Sequence, residues 1–239
     1  MANNIRIEIP DRLNMTTCHQ LVDIQRSAWG MSDLDILPPW KLFVAPQIGS
    51  KVIVTYEGDR AIAYALLSLA GDRSISEQHY LYLDMIGVHQ SYQSHNLGFR
   101  IMQEAQALAR SECYAYIAWT YDPLEGANAS LYLKKLGAIA TKYYDNYYGE
   151  LSGERHRGTA TDRFWTILYP NAEPKMYKPS QIISEADYNS YEMFQKKAVD
   201  LIGIEIPRDF IAIRDREPER ANRIRLATRR IFQHLFANG

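Results

Sequence analysis

The chain has 239 residues, 46% of them hydrophobic and 12% aromatic, enough to bury a real core as one large domain or one domain plus an extension. A formal net charge of -1 excludes a global pull toward nucleic acid or an anionic membrane. No apolar run is long enough to span a bilayer, and MANNIRIEIPDR lacks the apolar stretch of a signal peptide, so a cytoplasmic protein is expected. Cys18 and Cys113 stand far apart without CxxC spacing; each reads as a small buried hydrophobe or a reactive thiol, and neither a disulfide framework nor a metal site is expected.

Ile5, Ile7 and Ile9 alternate with polar residues as a first strand ended by Pro10. A helical pattern follows from Thr16 to Ala28, with Cys18, Leu21, Val22 and Ile24 apolar. Trp29 to Phe43 reads as a loop plus a short helix with Pro39 near its start. Lys51 to Glu57 and Arg60 to Ala70 are strands joined by the hairpin signal Gly58-Asp59. Tyr80 to Val88 is the next strand, and Leu97 to Arg110 is a helix with Leu97, Ile101, Ala105 and Leu108 on one face.

Tyr114 to Thr120 then reads as a strand, Asn128 to Leu136 as a helix closed by Gly137, and Ile139 to Tyr148 and Arg163 to Tyr169 as two further strands. Pro170 to Pro179 is a connector. Beyond it come a helix near Glu185 to Lys197, a strand Val199 to Ile206 stopped by Pro207, and a long arginine-rich helix from Pro218. Arg220, Arg223, Arg225, Arg229 and Arg230 of that helix are balanced by Asp209, Asp215, Glu217 and Glu219. The reading is a solvated, partly salt-bridged face packed by Ile224, Leu226, Ile231 and Leu235, with no nucleic-acid surface.

The stretch from Tyr80 to Ala105 joins a strand, a short polar loop and an amphipathic helix with Gly98 in its first turn. A helix start carries unpaired backbone N–H groups and a partial positive charge, so this layout offers a pyrophosphate cradle built from main-chain donors. The alternative is a βα unit with a polar turn.

The run Gln93-Ser94-His95-Asn96-Leu97-Gly98 resembles the acyl-CoA binding motif of the GCN5-related N-acetyltransferases (the GNAT superfamily), which reads Gln or Arg, two residues, Gly, one residue, then Gly or Ala. Asn96 stands where the family has its first glycine, and asparagine is the residue after glycine that best tolerates a left-handed backbone. The element order from residue 1 to 170 is also similar to that family. The resemblance implies an α/β protein of GNAT fold: a mixed, mostly antiparallel central sheet, helices on both faces, a splayed strand pair, and a C-terminal strand-helix extension. The expected domains are an acyltransferase core over 1–170 and an extension over 171–239.

Carried over by position, the resemblance implies that the backbone of Ile86 and Val88 pairs with pantetheine amides. It implies that amides from Gln93 to Phe99 hold the diphosphate, among them those of Ser94, His95, Asn96, Leu97 and Gly98. An N–H near Met85 to Gly87 would stabilise the developing oxyanion. Asp84 is the candidate base, directly or through water, with a structural aspartate as the alternative; His79 could substitute, or be a loop residue. The family's acidic tyrosine lies four residues before the glycine ending the next helix, and that position here is Leu133, with Tyr132 one residue earlier. Tyr132 is the candidate acid or a plain helix-face tyrosine, and in a regular helix Leu133 would face the sulfur. Asn128 is a candidate cofactor contact or N-cap.

WTYDPLEGANASLYLKKLGA and YYGELSGERHRGTATDRF extend the resemblance to a less studied GNAT subgroup. Trp29, Trp40, Trp119, Tyr121, Tyr147 and Tyr148 supply aromatics for an acceptor pocket, with Trp40 and Tyr121 as substrate-binding candidates. Arg163 is a candidate clamp for an acceptor carboxylate; Arg155 and Arg157 read as a solvated basic loop. The function implied is transfer of an acyl group from acyl-CoA to a primary amine on an amino acid, small metabolite or peptide side chain, without a metal, and a homodimer is compatible with it. The alternative is a non-catalytic acyl-CoA or acyl-carrier binding module of the same fold.

Overall fold

The computed structural model describes residues 5–71, 79–149, 158–190 and 201–238. Among the described residues seven strands, β1 (Ile5–Glu8), β2 (Lys51–Glu57), β3 (Arg60–Gly71), β4 (His79–Val88), β5 (Ile117–Tyr121), β6 (Ile139–Tyr144) and β7 (Arg163–Leu168), run in the order β1-β2-β3-β4-β5-β7-β6 in a mixed, mostly antiparallel α/β sheet. Two compact units emerge from the contacts, one made chiefly of Met1–Trp119 with Ile167–Ala172, the other of Thr120–Leu151, His156–Thr166 and Glu173–Gly239.

In the first unit, β1 (Ile5–Glu8), β2 (Lys51–Glu57), β3 (Arg60–Gly71) and β4 (His79–Val88) are antiparallel neighbours, and β4 runs parallel to the start of β5 (Ile117–Tyr121). Gly58 turns the β2–β3 hairpin at φ +60, which a Cβ would resist. Helix α1 (Met15–Trp29) starts at Asn14, whose side chain accepts from the Thr17 N–H at 2.8 Å. Its apolar face, Cys18, Leu21, Val22 and Ile24, joins Leu42 of α2 (Pro39–Val44) in a core with Val52, Val54, Tyr64 and Leu66. Helix α3 (Leu97–Ser111) buries Leu97, Ile101, Met102, Ala105 and Ala109. Burial of these faces is the main term holding the layers together, at about 25 cal/mol per Å² of apolar surface.

The second unit holds the edge strand β6 (Ile139–Tyr144), most of β7 (Arg163–Leu168), and a small parallel pair, β8 (Gln181–Ile183) with β9 (Ile202–Ile204). Helices α5 (Phe210–Arg216) and α6 (Pro218–Asn238) close a second core of Leu124, Ile183, Tyr188, Phe210, Ala221, Ile224, Ala227 and Ile231.

Several sequence expectations change here. Strand β8 falls just after the expected connector, where three residues carry too little alternation to be read. Where a helix was expected from Glu185, a 3-10 turn spans Glu185–Ser190, and residues 191–197 lie outside the described residues, as do 199 and 200 of the expected strand before β9. Helix α5 was not expected; Asp209 caps it by accepting from the Ala212 N–H at 2.9 Å. Leu226 is 42% exposed and does not pack the α6 face, whereas Ile224 and Ile231 do and Leu235 is partly buried there.

The arginine face of α6 is also not simply solvated. Arg225 is 2% exposed and makes a bidentate pair with Asp122, Nη1 to Oδ1 at 2.8 Å and Nη2 to Oδ2 at 2.5 Å. Arg229 pairs with Asp162 at 3.1 and 2.7 Å, and Arg220 with Glu185 at 2.9 Å twice. The partners are distant in sequence, so the nearby acids Asp209 and Asp215 were the wrong balance for Arg225 and Arg229.

Candidate active site

Strand β4 is joined to β5 through only Leu81↔Ile117 and Tyr82↔Ala118. From Leu83 to Val88 it keeps β3 on one side and has no ladder partner on the other among the described residues. His89 donates its N–H to the Ile62 carbonyl at 2.9 Å on the β3 side, while the Val88 carbonyl accepts from Gln93 Nε2 at 3.3 Å. By the alternation of an antiparallel ladder, the backbone groups of Val88 and Ile86 face the open side and those of Gly87 and Met85 face β3. The splayed strand thus offers an edge that an extended amide-bearing chain can complete.

Asp84 sits at a β-bulge. Leu66 pairs with Met85 and Leu67 with Leu83, which leaves Asp84 as the extra residue. A bulge re-aims a side chain and bends its strand, here where β4 leaves β5. The carboxylate accepts from Ser68 Oγ at 2.6 Å. Although the residue reaches solvent, desolvation by the strand atoms around it raises its pKa, against the lowering effects of the Ser68 bond and the Lys41 charge. A carboxylate so raised is a better proton acceptor than an ordinary surface aspartate. His79 is placed at the far end of β4, in the half joined to the β5 side, where its carbonyl accepts from the Ala115 N–H.

After β4 the chain makes a 3-10 turn, Gln90–Tyr92, pinned by Gln90 N–H to Ser27 Oγ at 2.9 Å and Tyr92 Oη to Glu57 at 2.5 Å. Ser94 and Asn96 both take left-handed backbones, φ +68 and +59. Asn96 therefore adopts at the motif's first glycine position the conformation a glycine would supply. His95 Nδ1 lies 2.9 Å from the Gln93 carbonyl and 3.2 Å from that of Tyr92, which makes this nitrogen a donor. The first helical donor of α3 is Arg100, to the Asn96 carbonyl at 3.1 Å, so the amides of Leu97, Gly98 and Phe99 precede the helix's own ladder. Leu97 is buried and anchors this turn, while Gln93, Ser94, His95 and Asn96 are exposed. Main-chain donors at a helix start, led into by an exposed loop, fit a diphosphate.

Trp29 lies beneath this strand: a Cβ on Gly87 would stand 2.8 Å from its Cη2, so it packs on β4. Trp40, on α2, is 63% exposed, beside Lys41, whose charge reaches Asp84.

In the second unit, Gly126–Ala129 is a turn of α-helix, α4, that passes into a π-turn over Ser130–Lys135 before Gly137 ends it at φ +74. The expected regular helix over Asn128 to Leu136 is not formed. Tyr132, in the π-turn, is 4% exposed, and its ring meets the edge of Tyr121 at 5.3 Å. Tyr121 also contacts Phe164 at 5.8 Å, and its buried hydroxyl has no hydrogen-bond partner among the described residues; burial, Tyr132 and Asp122 together raise its pKa. Asn128 lies inside α4, whose N-cap is Glu125, and donates to the Glu125 carboxylate, so it is not an N-cap. Arg163 is 5% exposed, donates to the Asp162 carbonyl at 2.8 Å, lies 3.9 Å from Asp122 and stacks on Tyr148 at 5.2 Å. Arg155 and Arg157 lie outside the described residues.

The first unit thus gathers Asp84, Met85, Ile86, Val88 and Gln93–Phe99 along one strand-loop-helix, and the second gathers Tyr121 and Tyr132. Sequence reasoning missed Ser68, Asp122 and Asp162. The only available signal was Asp-Pro-Leu directly after a strand, since an aspartate there can accept from the backbone two residues on, as Asp122 does from the Leu124 N–H at 2.9 Å.

A strand splayed beside a helix start with free amides defines an acyl-CoA-dependent transferase fold. Residues 16–138 match the Acetyltransferase (GNAT) family, and the chain belongs to that family. Among solved structures, it is similar to the ribosomal-protein-S18-alanine N-acetyltransferase of Escherichia coli, at TM-score 0.54 and 16% identity over 73% of this chain and 99% of that one. A GNAT-family acetyltransferase from Streptococcus pneumoniae gives TM-score 0.55 and 13% identity over 70% and 99%. Arabidopsis thaliana NAA60 in complex with acetyl-CoA gives 0.54 and 11% over 70% and 99%. At these identities the likeness concerns the fold. No curated protein matches the chain. No helix among the described residues is long and apolar enough to cross a membrane.

Proposed function

We propose that the protein is a cytoplasmic N-acyltransferase that moves an acyl group from coenzyme A to a primary amine of an amino acid, a small metabolite or a peptide side chain. Residues 1–170 are its acyltransferase core and 171–239 an extension. The observation that carries this reading is the edge Leu83–Val88, without a second ladder partner among the described residues, leading into the left-handed Asn96 and the amides of Leu97 to Phe99 that precede the helical ladder.

The acyl donor supplies a thioester carbonyl open to attack by an amine. Ile86 and Val88 hold its amide-bearing arm through their backbone, and the amides of Leu97, Gly98 and Phe99 hold its diphosphate. Asp84 takes one proton of the incoming ammonium, directly or through water; the amine nitrogen bonds to the carbonyl carbon, the carbon–sulfur bond breaks, and the second proton that leaves the nitrogen passes through water to restore the Tyr132 phenol once it has protonated the sulfur. Within Met85 to Gly87, the N–H on the open side of β4 is that of Ile86, and it donates to the carbonyl oxygen as charge develops there, while Tyr132 gives its proton to the departing thiolate. Trp40, Tyr121 and Arg163 are assigned to the acceptor side, and Asn128 to the donor side. Tyr132 stands one residue before the family's position, which supports the alternative of a non-catalytic binding module; that the helix carrying it is not a regular α-helix supports the catalytic reading instead.

Two measurements test this. Acetyl-CoA should raise the melting temperature through binding to the folded state, and Gly98→Val, which puts a branched side chain on the diphosphate path, should abolish that shift. An unchanged shift in Gly98→Val overturns the assignment of this loop. Thiol release from acetyl-CoA over a panel of amines then identifies the acceptor.

A further inference from the structure

The segment from Asp122 to Gly137, which carries Tyr132, is held at both ends by Glu173, Pro207, Arg208 and Arg225 of the same unit. At its start, both oxygens of Asp122 are taken by Arg225, whose guanidinium stacks on Phe210 at 4.8 Å. At its first helical residue, a Cβ on Gly126 would lie 2.9 Å from the Pro207 carbonyl oxygen and 3.0 Å from that of Arg208. At its end, a Cβ on Gly137 would lie 2.4 Å from the Glu173 carbonyl oxygen. Glycine is required at Gly137 twice over, by its φ of +74 and by this approach.

Between those ends the chain uses one residue more than an α-helix needs. The Leu136 N–H donates to the Leu131 carbonyl at 3.1 Å, five residues back, and the Ala138 N–H to the Tyr132 carbonyl at 2.9 Å, six back. An α-helix ended by a Schellman cap uses spans of four and five. Both bonds contain the same single extra residue. It gives Tyr132, relative to Gly137, the azimuth that a residue four earlier has in an α-helix. A π-turn is rare by itself, so the held ends must maintain it.

We propose that Arg225, acting through Asp122, and the Glu173 backbone, acting on Gly137, are positioning residues that keep the π-turn and thereby aim Tyr132. This rests on Tyr132 as the acid of the proposed reaction. Freed at either end, the turn relaxes toward α-helix, and loss of one residue of register swings Tyr132 about 100° around the axis.

The primary test reads the Tyr132 ring itself, by NMR of protein carrying ring-13C tyrosine, with the resonance assigned by its absence in Tyr132→Phe and shifted by the Tyr121 ring. Deleting Lys134, which is exposed and carries neither of the two long-span bonds, turns them into spans of four and five with both ends still held. The deletion should leave the Tyr132 resonance in place and keep the rate with acetyl-CoA and the best amine within about threefold of parent. Arg225→Met and Gly137→Ala should move the resonance and lower kcat about tenfold or more at unchanged KM for acetyl-CoA, and adding Tyr132→Phe to either should cost nothing further. A deletion that moves the resonance, or clamp variants that fold and leave it unmoved, overturns the proposal. Should neither clamp variant fold, the deletion decides it. If Tyr132→Phe works at the parent rate, the acid role fails, and positioning is decided by the resonance alone.

Discussion

Asp122→Asn keeps the shape of the side chain and its bond to the Leu124 N–H while removing the charge that faces Arg225 and Arg163. The structure sets the scale of the loss. Arg225 is 2% exposed and Arg163 5%, so neither guanidinium can recover its hydration without opening the unit, and Asp162 is already engaged by Arg229. Breaking a buried pair by removing one partner costs about 3–5 kcal/mol, against a total stability on the order of 5–15 kcal/mol. Replacing both partners removes the charge stranded on Arg225, leaving only that of Arg163, so Asp122→Asn with Arg225→Met should lose clearly less stability than the sum of the single losses. The assay is urea unfolding with the slope checked for constancy, arranged as a double-mutant cycle. A loss below about 1 kcal/mol for Asp122→Asn, on the scale of an exposed pair, or additive single losses, would refute the reasoning.

Asp84→Asn should lower turnover roughly a hundredfold or more while leaving acetyl-CoA binding nearly intact, in line with the loss of a general base. Because the Asp84 pKa is raised in the folded protein, its charge opposes folding above the ordinary aspartate range, so the same variant should be slightly more stable than parent at neutral pH and lose that advantage in acid; thermal melts at the two pH values decide this. Asp162 behaves oppositely. Burial pushes its pKa up, but hydrogen bonds from Arg229 and Tyr143 more than offset this and hold it below the ordinary value, so its contribution is present above the unfolded aspartate pKa and lost as pH falls through the lowered one. Asp162→Asn should therefore flatten the acid limb of the stability curve, and an unchanged limb would remove Asp162 from it.

The elements before residue 120 were legible because each follows from a local period. Alternation marks β1, short apolar runs bounded by turn residues mark β2 to β4, helical spacing marks α1 and α3, and Gly58-Asp59, Pro39 and Asn96 act through their own backbone preferences. The turn proposed to hold the diphosphate was legible for the same reason, since a left-handed asparagine before a helix is a local matter. The rest needed tertiary structure. Whether Asp84 lies in a regular strand or a bulge depends on how β4 registers against Leu66 and Leu67, which no property of Asp84 reports. Arg225 looked like one of five surface arginines because its partner, Asp122, is 103 residues away. The π-turn is the clearest case: the sequence Ser130 to Gly137 suits an α-helix, and a one-residue slip of hydrogen bonds is locally a small difference. Its register is therefore set from outside, by the Glu173 carbonyl against Gly137 and by Arg225 on Asp122, and with it the direction of Tyr132.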